Sequence, residues 1–375
     1  MKNIKWKHYI NYIVIAAVTI ILAILNLTMG LKSSSIYLFE KMTIAVILAV
    51  SLNIVVGFLG ELSLGHAGFM CVGAYIGGKV AALLDGDGKN ILILFLSMLI
   101  GGAIAAVFGL VIGLPALRLK GDYLAIVTLA FGEIVRTVFM NTSKESFGGT
   151  LGLETPRYSK TYLVFIALIV VLICLAVTQN MIRSKHGRAI TAIRDNEIAA
   201  RATGVNVTKY KLIAFVVSAF FAGVAGVLYS HSNYLVNSDN FDYNYSIEIL
   251  VMVVLGGMGN INGSIISAVL ITFLNNELST ILTGDLAVLK DLIYALILIL
   301  VVIYNNAPKL KSFREKYNLK ALWQLVYKKK HDPAEHKDDE GAWDRVPTKI
   351  DMDEVLSLDL RVTESVMEPD KEDDK

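Results

Sequence analysis

The chain has 375 residues, of which 55% are hydrophobic and 18% charged, and its formal net charge is +2. Soluble domains carry about 25% charged residues, and here the mean hydropathy is +0.58. Residues 8–31, 90–117, 161–182, 212–238 and 249–276 hold no Lys, Arg, Asp or Glu; each is as long as the ~20 residues that span a bilayer as a helix, which excludes a soluble enzyme and a disulfide-stapled secreted scaffold.

In chain order, Lys2, Lys5 and Lys7 precede an apolar stretch over 9–29. That layout is also a signal peptide's, but this apolar part runs to ~20 residues and no small-x-small cleavage pattern follows it, so it reads as a retained first span. Hydrophobic runs place further spans at 42–60, 67–84, 91–113, 122–140, 161–181, 210–231, 246–260, 263–283 and 287–304. The pair 246–260 and 263–283 can equally form one broken or re-entrant element. The expected class is an all-α polytopic membrane protein with about ten transmembrane helices.

Lys and Arg mark the cytoplasmic loops. Residues 182–211 contain Arg183, Lys185, Arg188, Arg194, Arg201, Lys209 and Lys211, against only Asp195 and Glu197. Ten spans put this loop, the Arg118–Lys120 loop, the lysine-rich N-terminus and a basic collar after Asn306 on one side. Both termini are therefore expected in the cytoplasm of a cell-membrane protein. Charge then divides the chain: residues 1–308 carry +5, residues 309–330 carry +7 and residues 331–375 carry −10. These are expected to be a transmembrane domain, a basic helix on the inner leaflet with Trp323 on its apolar side, and a disordered acidic tail.

Cys71 and Cys174 lie inside apolar runs and suggest neither a disulfide nor a metal site, and no cofactor motif is visible. HExxH, CxxC and GxSxG are missing. Residues 73–79, GAYIGGK, fit GxxxxGK, but Val80 follows where a Mg²⁺-binding Ser or Thr belongs, and the segment is apolar helix. No ATPase site is visible, and the chain is not expected to be an enzyme.

Residues 57–68, GFLGELSLGHAG, set four glycines among Glu61, Ser63 and His66. Glycine at this density loosens a helix, and broken helices at membrane depth build substrate sites in many transporters. The alternative is a tight turn at the cytoplasmic surface with Glu61 and His66 wet. Residues 256–264, GGMGNINGS, form a second interruption, in which Gly256, Gly257, Gly259 and Asn260 suit a gate, a cavity wall or a short turn between packed helices. Glu133 and Arg136, spaced i, i+3, share one helical face within a span. They suit a zwitterionic solute, or they neutralise each other as a structural pair. Glu248 and Glu277 stand near span ends and are expected at the interface. In the long basic loop, residues 189–202 are amphipathic and helix-prone, with Gly204 as the C-cap. Helix, glycine stop and immediate return to a span suit a docking surface; an ordinary topology-setting loop is the alternative.

The stretches GELSLGHAGFMCVGAY (60–75), LRLKGDYLAIVTLAFGEIVR (117–136), GGTLGL (148–153), GRAITAIRDNEIAARATGVNV (187–207) and VLGGMGNINGSIISA (254–268) carry a family resemblance. The chain resembles the inner-membrane permease subunits of ABC importers for branched-chain amino acids, of the LivM type. The first and last stretches are shared with the sister permease and with urea and sugar permeases. The resemblance implies the ABC importer permease fold and ATP-driven alternating access for leucine, isoleucine or valine. It implies a second, LivH-like permease subunit, two ABC ATPase subunits and an extracytoplasmic substrate-binding protein as partners in the lipid bilayer. It also implies an ATPase-coupling helix carrying Arg188, Arg194, Asp195, Glu197, Ala199, Ala200 and Gly204. Of these, Ala199, Ala200 and Gly204 match the Ala-Ala-x-x-x-Gly core, while Glu197 stands one place early and no proline follows. A same-family permease for urea or a sugar, an ion-coupled secondary transporter and a scaffold acting through its acidic tail are the competing expectations.

Overall fold

The computed structural model describes residues 33–281, apart from isolated loop positions within 86–89, 118–120 and 157–159, and a few positions between 292 and 299. The expected first span (9–29), the rest of the last (287–304), the basic collar and the acidic tail lie outside the described residues. Besides a single helical turn at Lys144–Phe147, the helices among the described residues are α1 (Ser33–Asn53), α2 (His66–Leu84), α3 (Ile91–Ala116), α4 (Asp122–Met140), α5 (Lys160–Arg183), α6 (Lys185–Asp195), α7 (Glu197–Ala202), α8 (Val207–Asn233), α9 (Tyr243–Gly256) and α10 (Ile261–Ile281). The strands β1 (Leu153–Glu154) and β2 (Leu235–Val236) pair antiparallel, Leu153 opposite Val236.

Among the described residues, seven segments are long and apolar enough to cross a membrane: Ser33–Leu59, α2, α3, α4, Tyr162–Arg183 within α5, α8 and α10. With the shorter apolar α9, they correspond to the eight middle spans expected from sequence. The main boundary difference is at α1. Hydropathy starts that span at 42, after Glu40 and Lys41, whereas the helix reaches back to Ser33. Glu40 is buried there and accepts a hydrogen bond from Ser232 Oγ of α8, so the carboxylate sits inside the bundle with a donor.

α1 is the innermost segment, 94% buried over its most apolar window, against 28% for α10. It packs on α5, α8, α9 and α10. α2, α3 and α8 form the tightest trio, and glycine is the reason. A Cβ on Gly73 of α2 would come within 2.1 Å of the Gly223 carbonyl oxygen of α8, and one on Gly226 within 2.0 Å of the Met70 carbonyl oxygen. In lipid, apolar helices gain little by hiding apolar surface from one another, so close backbone approach through small residues supplies the contact energy. The outer faces of α3 and α4 show Leu92, Leu99, Val111, Ile126 and Ile134, as lipid or another apolar helix requires.

The strand pair joins the loop after α4 to the end of α8, on the face where α1 begins; Thr155 N–H donates to the Tyr234 carbonyl at 2.8 Å. α6 and α7 lie at the opposite end of α8, where α1 ends.

Candidate functional site

α1 does not stop at Asn53. Ile54–Leu59 winds on as a π-helical turn, which Gly60 ends at φ 79° with its N–H on the Val55 carbonyl. Glu61 N–H meets the same carbonyl at 3.1 Å. Residues 61–65 are irregular and α2 starts at His66. Neighbouring helices satisfy the freed backbone: Leu64 N–H donates to Thr128 Oγ1 at 3.0 Å and Ala67 N–H to Ser246 Oγ at 3.1 Å. Ser63 and His66 are each 2% exposed, and His66 Nε2 lies 2.9 Å from Ser51 Oγ. This is irregular backbone enclosed by protein, so His66 is not wet as the surface-turn alternative has it, and the Glu61 side chain, 13% exposed, is largely covered as well.

The second interruption lies directly against the first. α9 ends at Gly256, Gly257 and Gly259 adopt φ 88° and 79°, and the chain reverses into α10. The reversal needs glycine contact, because a Cβ on Gly256 would stand 2.4 Å from the Gly263 backbone. Asn260 caps α10, its side chain accepting from Gly263 N–H at 3.2 Å. Asn53 ties the two interruptions together: Oδ1 accepts from Gly259 N–H at 2.9 Å, and Nδ2 donates to Ser264 Oγ at 3.0 Å. A Cβ on Gly57 would lie 2.2 Å from Gly259 N. Two glycine clusters about 200 residues apart therefore form one broken-helix junction.

The basic loop reaches this junction. One amphipathic helix is expected over 189–202; instead Asn196, at φ −159° and ψ 105°, divides α6 from α7. Its side chain accepts from Ala199 N–H at 3.0 Å and so starts the second helix, the local preference of asparagine at an N-cap. Gly204 ends α7 at φ 85°, with Gly204 N–H on the Arg201 carbonyl at 3.1 Å and Val205 N–H on the Ala200 carbonyl at 3.0 Å. That paired closure is the Schellman motif. Ile190, Ile193 and Ala200 face the bundle, whereas Arg188, Ala199 and Ile198, the last 79% exposed, face outward.

Arg194 leaves α6 in the other direction. Its Nη1 donates to the Gly57 carbonyl at 3.1 Å, and Nε and Nη2 bind Asp195 Oδ1 at 3.1 and 3.0 Å. Its stem occupies the space a Cβ on Gly60 would need, and Nη1 stands 3.4 Å from where a Gly259 Cβ would be. Arg194 therefore bonds the first interruption and lies beside the second. With Val56, Gly57, Gly60, Leu62 and Met258 it lines a cleft of about 480 Å³.

Sequence reasoning missed Lys211. It counts there only as a topology marker, yet its side chain is 3% exposed and its Nζ pairs with Glu61 and, at 3.3 Å, with Glu197. Glu197 also binds Arg201 at 2.9 Å. The lysine thus ties α7 to the first interruption from the base of α8. Glu61 is the sole charged residue between Lys41 and Lys79, a signal that it needs a buried cation.

Glu133 and Arg136 are elsewhere. Arg136 Nε binds Glu133 Oε2 at 3.0 Å and Nη1 binds Asp239 Oδ1 at 3.3 Å, while Glu133 Oε1 accepts from Tyr243 N–H at 3.0 Å. This pair fastens α4 to the start of α9 near the strand pair, away from the junction of the interruptions. Glu248 lines a cavity between helices and accepts from Asn275 Nδ2 at 3.0 Å. Among the described residues, no group of three or more His, Cys, Asp or Glu stands close enough to hold a metal ion.

Comparison with known proteins agrees with this architecture. LivM, the high-affinity branched-chain amino acid transport system permease protein of Salmonella typhimurium, is 36% identical over 283 residues, 66% of this chain and 65% of the relative. LivM of Escherichia coli K12 matches to the same extent. The chain thus spans about two thirds, 65%, of the length of these relatives. The ribose import permease RbsC of Escherichia coli K12 is 26% identical over 72% of this chain and 84% of its own. No solved structure matches. The family profile described as the permease component of branched-chain amino acid transport systems covers residues 34–302, from the start of α1 past both interruptions, and the chain belongs to that family.

Proposed function

We propose that the chain is a membrane-spanning subunit of an ABC importer for leucine, isoleucine and valine. It works beside a second, LivH-like permease subunit, with two ABC ATPase subunits on the α6–α7 face and a substrate-binding protein on the strand-pair face. On this reading the α6–α7 face is cytoplasmic, as the Lys/Arg distribution requires. ATP hydrolysis resides on the partner chains, and this chain does no covalent chemistry.

The observation that carries the reading is the contact of the exposed α6–α7 segment with the first interruption: Arg194 of α6 binds the Gly57 carbonyl, and Lys211 of α8 links Glu197 of α7 to Glu61. An ATPase pushing on Arg188, Ile198 and Ala199 moves Arg194, Glu197 and Gly204 as one unit. Arg194 transmits that movement to Gly57 beside Gly259, and Lys211 transmits it to Glu61. Short irregular segments absorb backbone rotation that continuous helices resist, which is what alternating access needs. Ser63, His66, Gly256, Gly257 and Asn260 lie at the moving junction and border the pathway.

The test is uptake of labelled leucine, isoleucine and valine into vesicles holding this chain with its partner permease, ATPases and binding protein. ATP-dependent uptake that requires this chain is expected. ATP-dependent uptake of ribose or urea in its place assigns another solute, and uptake by this chain alone under an ion gradient overturns the ABC mechanism.

A further inference from the structure

Two polar cavities lie on the strand-pair side of the bundle, separate from the glycine junction. The inner one, about 440 Å³, is enclosed by α1, α8, α9 and α10. Its volume falls within the range of about 300–1,000 Å³ typical of small-ligand sites. The outer one, about 330 Å³, is bordered by Ser34, Tyr158, His231 and Ser232. Tyr37 and Asn233 line both, and Tyr37 Oη donates to Asn233 Oδ1 at 2.7 Å. That bond forms the partition between them.

The lining of the inner cavity is ordered along its depth. Its floor is Ile44, Ala45 and Met252. Ala45 lies about 18 Å along α1 from Ser33 at 1.5 Å per residue, near the middle of the Ser33–Leu59 span. Above the floor stand Lys41, from α1, and Glu248, from α9, with Asn275 and Asn276 of α10 between these helices. Lys41 Nζ lies 4.5 Å from the Tyr37 ring centroid. Ionisable groups of both signs within spans are costly unless polar partners, water or a ligand meet them, and Glu248 already accepts from Asn275 Nδ2 at 3.0 Å. An apolar floor beneath two opposite charges is the complement of a small amino acid with an aliphatic side chain. A neutral sugar can hydrogen-bond both groups through its hydroxyls but neutralises neither charge.

We propose that this inner cavity binds the translocated amino acid, with Glu248 at its ammonium, Lys41 at its carboxylate and the Ile44–Ala45–Met252 floor at its side chain. The assignment rests on the reading of the chain as an amino-acid permease. The glycine junction then serves as the moving part below the site, and not as the site itself.

The two native cysteines are buried, so a Thr272→Cys variant offers one new thiol at the cavity wall. Leu270→Cys, on the exposed side of the same helix, is the control. In vesicles holding the complete transporter, a small membrane-impermeant thiol reagent is expected to label Thr272→Cys at least about tenfold faster than Leu270→Cys. Leucine supplied with its binding protein slows that labelling, and adding Glu248→Gln removes the protection. Failure to label Thr272→Cys overturns the water-filled cavity. Labelling that leucine, isoleucine and valine all leave unchanged, in vesicles that take them up, overturns this site and leaves the proposed function standing. Vesicles with native sequence that take up none of the three overturn the proposed function, and with it the ligand assigned here.

Discussion

Arg194 Nη1 donates to the carbonyl of Gly57 at 3.1 Å, across 137 residues of sequence. The carbonyl belongs to the π-helical turn that ends α1, where the helix's own hydrogen-bond ladder is interrupted. A charged donor from the solvent-facing loop thus completes the backbone of a membrane helix. Replacing Arg194 by Met keeps the stem over Gly60 and removes the donor. A hydrogen bond to a charged group contributes roughly 1.5–3 kcal/mol, so uptake per ATP hydrolysed is expected to fall about tenfold or more. Parallel assays of ATP hydrolysis and leucine uptake check this; equal losses in both would point to failed assembly in place of lost coupling.

Lys211 gives a stability prediction of opposite character. Lys211→Met leaves Glu61 and Glu197 facing each other with their shared cation removed. Breaking a buried pair from one side costs about 3–5 kcal/mol, whereas replacing both partners by neutral groups of similar shape is often neutral. Lys211→Met is expected to lower the melting temperature of the purified protein sharply. The combined variant Lys211→Met with Glu61→Gln should recover a large part of the loss, since Glu197 retains Arg201. A double variant no better than the single one would show that the lysine's packing matters more than its charge.

The glycines separate into two kinds that sequence alone treats alike. At Gly226 a Cβ would collide with the Met70 carbonyl oxygen at 2.0 Å, whereas at Gly204 nothing lies within 4 Å and only φ 85° opposes a side chain. Gly226→Ala must push α8 off α2, an overpacking penalty of at least about 1–3 kcal/mol. Gly204→Ala meets a left-handed backbone penalty of about 1–2 kcal/mol at an exposed helix end. Expression and thermal stability should therefore fall much further for Gly226→Ala. Gly204→Ala is expected to insert and assemble, and to lose transport coupling first.

Much of the fold is legible in the sequence because a bilayer admits few answers. Apolar runs of spanning length locate α2 to α5, α8 and α10 within a few residues, and Gly204 marks the end of α7 for a stereochemical reason. What sequence does not show is proximity. Residues 57–68 and 256–264 each read as a flexible interruption, but nothing local tells that Asn53 joins them. Nor does hydropathy reveal that Glu40 and Lys211 lie inside the bundle, since a window counts a paired charge and a wet one equally. The division at Asn196 was open to inference from asparagine's capping preference, yet the amphipathic pattern runs straight through it.

Glu133 and Arg136 are the case in which sequence leaves two explanations level, and the geometry distinguishes them by a measurable outcome. Both charges are already committed: Arg136 to Glu133 and Asp239, Glu133 to Arg136 and the N–H of Tyr243. The Arg136 and Glu133 side chains are 26% and 29% exposed, so the pair itself contributes little, about 0.2–1 kcal/mol for a partly screened bridge. A lone charge left within a span costs more, about 2.5–3.5 kcal/mol on insertion scales. Arg136→Met and Glu133→Ala are therefore each expected to be more damaging than Glu133→Gln combined with Arg136→Met. That double variant strands no charge within the span, and its new amide keeps an acceptor for the Tyr243 N–H. It should show lower thermal stability than the native chain with an unchanged KM for leucine. A KM raised severalfold at native-like stability would instead assign the pair to the solute's path and displace the fastening role that its contacts describe.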